Sequence, residues 1–304
     1  MATRALDVVT ILHAISVLDI ELKTTGWTAH NPQQEQVFAW LEQHRGLLAS
    51  VTGLDAKASR FWQELNSFLT ERKFDPMVAP FDPNKGIGVV SILDKLVHWL
   101  HGPGTVVEMH TEQGRRPGFE LPPTGVNIYE VEGYQRSYLL ELLTKSDDTL
   151  WLFPHNDTSL DGINLAKLSM DVMSKPRRTP MRKRMLGEGE YPRYAGAQVL
   201  MVDFDIKPDI SWLLGADTHT EGGDHYFVDQ AAQQFKLRMD QTGARVKVAT
   251  ATVILHSMRE EPILFRLNRP FYGWWTQKGL DLPMAAFFAD WDALHKPAGS
   301  LEDL

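Results

Sequence analysis

Two stretches bring together side chains that could do chemistry. Asp217-Thr-His219-Thr-Glu221-Gly-Gly-Asp224-His225 sets two imidazoles and three carboxylates within nine residues, a donor set that suits Zn²⁺. Its Gly-Gly pair marks a loop and its spacing matches no established ligand motif, so the sequence assigns no metal and no cofactor here. His155 and Asp157, just after Phe153-Pro154, offer a general base with an orienting carboxylate, although sequence neighbours seldom converge in that way. Trp274-Trp275 could fill a core or wall a small-molecule pocket together with them. Lys175 to Arg184 carries six cations in ten residues and reads as a solvated basic loop. The sequence holds no Gly-rich phosphate loop, no Gly-x-Ser-x-Gly elbow and no His-Glu-x-x-His. With no cysteine, disulfides and thiolate nucleophiles are excluded.

The elements that must position these residues belong to an ordinary globular chain. Its 304 residues are 43% hydrophobic and 23% charged, enough for a sizeable core. A net charge of −8 argues against nucleic acid, whose phosphates need a basic face. No apolar run approaches the roughly 20 residues that span a bilayer, so no membrane partner is expected. Val8 to Ile20 is broken by His13 and Asp19 and preceded by Asp7, which suits an amphipathic helix better than a secretion signal. A soluble, cytoplasmic protein is the expectation.

The first hundred residues carry mostly helical spacing: Val8, Ile11, Leu12, Ile15, Val17 and Leu18; Val37, Phe38, Trp40, Leu41, Leu47 and Leu48; Phe61, Trp62, Leu65, Phe68 and Leu69. Asn31-Pro32 predicts a helix start. Ile87 to Leu100 fits a strand, a helix, or a strand running into a helix. After His101-Gly-Pro-Gly104 the texture changes to short β-rich runs: 105–109, 126–131, 138–143, 149–153, 198–206, 226–239 and 246–255. One clear helix, 160–173, interrupts them. The pattern predicts an α+β class with antiparallel sheets, read as a single domain over 1–304: a helical part, 1–104, and a sheet core, 105–297.

Four stretches in that order resemble the serpin family. They are Tyr129 to Tyr138 with Thr149-Leu-Trp-Leu-Phe-Pro-His155; Val202 to Leu213 with Gly215-Ala-Asp217; Phe227 to Thr252; and Phe265-Arg-Leu-Asn-Arg-Pro-Phe271. Phe287-Phe288 and Pro297 stand where the family has its closing strand and terminal proline. The resemblance covers roughly the last two thirds. The first third is shorter than the family's and lacks its Asn-x-x-x-Ser-Pro-x-Ser helix start.

The resemblance implies a protease-facing loop at 243–262, whose cleaved arm enters a sheet as a new strand. Its hinge would be Gly243-Ala-Arg-Val-Lys-Val-Ala-Thr-Ala-Thr252, with Ala244, Val246, Val248 and Thr250 on one face, all able to be buried. The β-branched valines and the long Arg245 and Lys247 also suit a segment that is already a strand in the resting protein. The scissile region would be Ser257-Met258-Arg259: counting from Gly243 points to Ser257, and counting back from Pro270-Phe271 points nearer Arg259. Two functions follow. One is a serine protease inhibitor or protease-binding protein; the other is an enzyme or small-molecule-binding protein on a non-inhibitory scaffold of this kind.

Overall fold

The computed structural model describes residues 2–135, 137–146, 148–183, 190–244 and 263–303. The chain starts with β1 (Arg4–Asp7), α1 (Val8–Leu22), β2 (Thr24–Thr28), α2 (Pro32–Leu48), β3 (Leu54–Ser59), α3 (Trp62–Glu71), β4 (Gly88–Leu93) and β5 (Val97–His98). It continues through β6 (Thr105–Thr111), β7 (Gly114–Leu121), β8 (Val126–Val131), β9 (Tyr138–Leu143), β10 (Asp148–Phe153), α4 (Ile163–Ser174), β11 (Arg177–Arg178), β12 (Met181–Lys183) and β13 (Glu190–Pro192). The remainder holds β14 (Ala197–Leu200), β15 (Val202–Ile206), β16 (Asp217–Thr220), β17 (His225–Phe227), β18 (Phe235–Met239), β19 (Gly243–Ala244), β20 (Phe265–Leu267), β21 (Phe271–Gln277) and β22 (Ala285–Ala289).

Local chemistry explains the helix starts. Asp7 ends β1 and caps α1, its carboxylate accepting from the Thr10 amide at 2.9 Å. Asn31 caps α2 by accepting from the amides of Gln33 and Gln34, with Pro32 in the first turn where no amide is needed. The one-sided apolar spacing of α1 buries Val8, Val9, Ile11, Leu12 and Ile15.

The largest sheet runs β1-β22-β21-β10-β9-β8-β11 and is antiparallel throughout. Its β21 and β22 are apolar on both faces, because α4 packs against both strands and α1 touches β22 from within. A second sheet runs β20-β14-β7-β6, with β14 and β20 parallel. Three small pairings complete the layer over α1: β3 with β4, β15 with β18, and β5 with β19. The two larger sheets and α1 share one continuous apolar core, from Ala5 to Leu294.

The structure refines three expectations. The run 198–206 is two strands, broken at Met201 where the chain passes from the β20-β14-β7-β6 sheet to the β15–β18 pair. The run 226–239 is β17 and β18, with a stretch, 228–234, that belongs to neither strand between them. The first hundred residues carry five short strands besides their helices, and Ile87 to Leu100 resolves into β4 and β5.

Candidate functional site

The site is a slot in the layer of strands lying over α1. Among the described strands, β4 pairs only with β3 and β18 only with β15, so each keeps one unpaired edge. Both border the same cavity, of about 780 Å³. Ile11, Ile15 and Leu18 of α1 line it, together with Trp27, Phe38, Phe74, Phe81 and Trp275.

The head of the slot is where the chain doubles back. After β18 it turns over Asp240–Gly243, with the Asp240 amide donating to the Gly243 carbonyl at 3.0 Å. Gly243 and Ala244 then pair antiparallel with His98 and Val97 of β5. β19 is thus bridged on one side by Asp240, at the end of β18, and on the other by β5. Gly243 is required there. Its φ is +148°, and a Cβ would stand 2.4 Å from the Val97 carbonyl oxygen.

Polar groups fix the walls. His13 of α1 meets the Ser91 hydroxyl of β4 at 2.9 Å, and burial lowers its imidazole's pKa from the usual value. Lys95, in the link from β4 to β5, keeps its side chain only 9% exposed. It donates to Thr52 Oγ1 at 2.5 Å, Asp148 Oδ1 at 2.7 Å and Gln277 Oε1 at 3.0 Å, tying the β4 side to β10 and β21. Across the slot, Gln233 accepts from the Asp7 amide and donates to the Asp7 carbonyl, both at 2.9 Å. Asp7 is buried, and desolvation pushes its carboxyl up to about 7 against the opposing hydrogen bonds from Thr10.

The residues singled out by sequence are dispersed over this frame. Of the hinge, Gly243 and Ala244 stand at the head of the slot, while Val246, Val248 and Thr250 lie outside the described residues. So do Ser257, Met258 and Arg259. Trp275 lines the cavity; Trp274, its neighbour, points to the other face of β21 and packs edge-on to Phe153. His155 stacks on Phe153 and meets Tyr134 edge-on, away from the slot, and burial lowers its pKa. Asp157 contacts Tyr272 through its backbone, accepting the phenol proton at 2.9 Å. The His/Asp loop is built around Asp217, which meets His30 at 2.5 Å and His225 at 3.2 Å. These imidazoles hold the Asp217 carboxyl below its usual pKa and tie β16 to β17 and to the chain after β2.

Sequence reasoning missed Lys95, Gln230, Gln233 and Gln234. A lysine before a β-rich run and glutamines in an irregular stretch carry no periodic signal, because their roles depend on partners 29 or more residues away.

No family model matches the sequence, and no curated protein resembles it at the sequence level. Solved structures do resemble it in fold. Serpin48, a highly specific serpin of the insect Tenebrio molitor, is 12% identical with a TM-score of 0.58, over 95% of this chain and 92% of that one. Human thyroxine-binding globulin is 11% identical with a TM-score of 0.58, over 94% and 91%. Tengpin, a thermophilic serpin in its native state, is 10% identical with a TM-score of 0.59, over 94% and 88%. The fold is therefore serpin-like, of the α+β class. The likeness covers too much of the chain to leave out the first 104 residues, which the sequence could not match.

Proposed function

We propose that the chain is a serpin-like protease-binding protein, and a serine protease inhibitor, that presents residues 243–262 to the protease and takes the arm after Ala244 into the slot between β4 and β18. The observation that carries this reading is the placement of β19, a strand already begun between Asp240 and β5. Beyond it, two unpaired strand edges border one apolar cavity. An added strand would satisfy both edges at once, which makes insertion downhill as soon as cleavage frees the arm.

The test is to mix the protein with trypsin, subtilisin and elastase, then run denaturing gels and a thermal melt. A detergent-stable complex, cleavage within 256–260 and a marked rise in the melting temperature of the cleaved chain are the expected results. Simple nicking with an unchanged melt rejects the reading. A second reading, a small-molecule ligand in the same cavity, rests on its apolar lining. A melting temperature that rises with apolar ligands but not on cleavage would favour it.

A further inference from the structure

The β17-β16-β2 sheet gathers three histidines around one carboxylate. Asp217 and His219 lie two residues apart on β16, so they share a face of the sheet. His225 of β17 stands directly opposite His219, and their ring centroids are 4.8 Å apart. Antiparallel pairing of β16 with β2 sets Asp217 against Thr28, which brings in His30 from 187 residues away. His30 Nε2 meets Asp217 Oδ2 at 2.5 Å, and His225 Nε2 meets Oδ1 of the same carboxylate at 3.2 Å.

The backbone that carries these rings is tied down. The Thr218 hydroxyl donates to the Gly26 carbonyl at 2.6 Å, fastening β16 to β2. The His30 amide donates to Gln34 Oε1 at 2.6 Å. Gln34 Nε2 donates in turn to the carbonyls of Trp212 and Leu214, at 2.8 and 3.1 Å. The rings themselves are open to solvent: the side chains of His30 and His225 are each 53% exposed. Among the described residues no three such donors face one point as they stand; the two Nε2 atoms are turned to the carboxylate. Rotation about the side-chain torsions re-aims exposed rings without moving the backbone.

Two imidazoles on one tetrahedral metal, with metal–nitrogen distances of about 2.0–2.1 Å, put their ring centroids about 5 Å apart. The His219–His225 pair has that spacing. Imidazole nitrogens with one carboxylate oxygen suit a borderline ion such as Zn²⁺ rather than Ca²⁺ or Mg²⁺, which prefer oxygen ligands.

We propose that His30, His219, His225 and Asp217 form a Zn²⁺-binding site with three nitrogen ligands and one carboxylate oxygen. Four protein ligands leave no open position, so the ion is structural. It staples the β16–β17 hairpin to the chain leading into α2. His225 also lines the cavity, so the staple stands at its edge and steadies that wall. The site is independent of strand insertion and of any cleavage. It needs His30, which is why the spacing within 217–225 alone matches no ligand motif.

The test is metal binding by the intact, uncleaved protein, stripped with a chelator and titrated with Zn²⁺ by calorimetry and with Co²⁺ by visible absorption. One ion per chain, the intense visible bands of tetrahedral Co²⁺ and a melting temperature that rises with Zn²⁺ are expected. His30→Gln and His219→Gln should each weaken binding roughly tenfold or more, the scale of losing even a supporting partner of a metal ligand. His110→Gln, on β6 and outside the site, should leave binding unchanged. Equal binding in all four forms would place the ion elsewhere and overturn the proposal, as would no binding. A loss in His219→Gln without one in His30→Gln would reduce the site to a cross-strand pair and overturn the four-ligand staple. Should a variant fail to fold, the Co²⁺ spectrum of the unmodified protein decides, an octahedral one overturning the site.

Discussion

The indole N–H of Trp99 donates to the carbonyl oxygen of Asp240 at 3.0 Å, fastening the chain just after β5 to the turn that leads into β19. Trp99 is fully buried and stacked on Phe119, with ring centroids 5.8 Å apart, so its position is fixed by packing independently of the bond. Trp99→Phe should keep much of the stacking and lose the donor. Equilibrium unfolding in urea is expected to show a loss of about 1–3 kcal/mol, partly lost bond and partly lost volume. A loss under about 0.5 kcal/mol would mean that the turn holds without the indole.

A second prediction concerns pH. The Asp7 carboxyl is pushed up to about 7 by burial, against an ordinary value of 3.8. Between those values the folded chain keeps a proton that the unfolded chain has lost. Stability is therefore highest on the acid side and falls as pH rises towards 7, by up to about 1.4 kcal/mol per pH unit from this group, then levels off. Asp7→Asn keeps a good helix cap but removes the titration. Urea unfolding at pH 5 and pH 8 should show a smaller difference for the variant, and a gain over the natural protein at pH 8. Parallel profiles would show that Asp7 does not titrate in this range.

The sequence is legible where local periodicity and punctuation decide the structure. Asn31-Pro32 starts α2 because a cap and a proline act on their own helix. The strands 126–131 and 138–143 appear at the expected residues because short apolar-rich runs separated by a glycine-containing turn set them. Trp274 and Trp275 are legible as apolar residues, but which of them lines the cavity depends on the face each takes in β21 and on what covers that face. The slot itself is not legible. It arises from two strands, β4 and β18, that lie far apart in sequence and leave their edges unpaired, and no residue type announces a missing pairing. Gly243 was read as part of a hinge; that it must be glycine follows only from how closely Val97 approaches it.

That close approach supports the last prediction. Two penalties would fall on Gly243→Ala: a φ of +148°, which a side chain resists, and a Cβ placed 2.4 Å from the Val97 carbonyl and 3.0 Å from His98 Cα, where backbone cannot yield as a side chain would. Gly114, the first residue of β7, separates the two penalties. It also has a positive φ, +94°, but nothing stands within 4 Å of its Cβ position. Gly114→Ala should therefore cost about 1 kcal/mol from backbone strain alone, and Gly243→Ala at least another 1–2 kcal/mol as β19 is forced off β5. Both are read by urea unfolding of the uncleaved protein. If the two losses were equal, β19 would separate from β5 at no cost, and the head of the slot would be a loose contact rather than the first rung of an inserted strand.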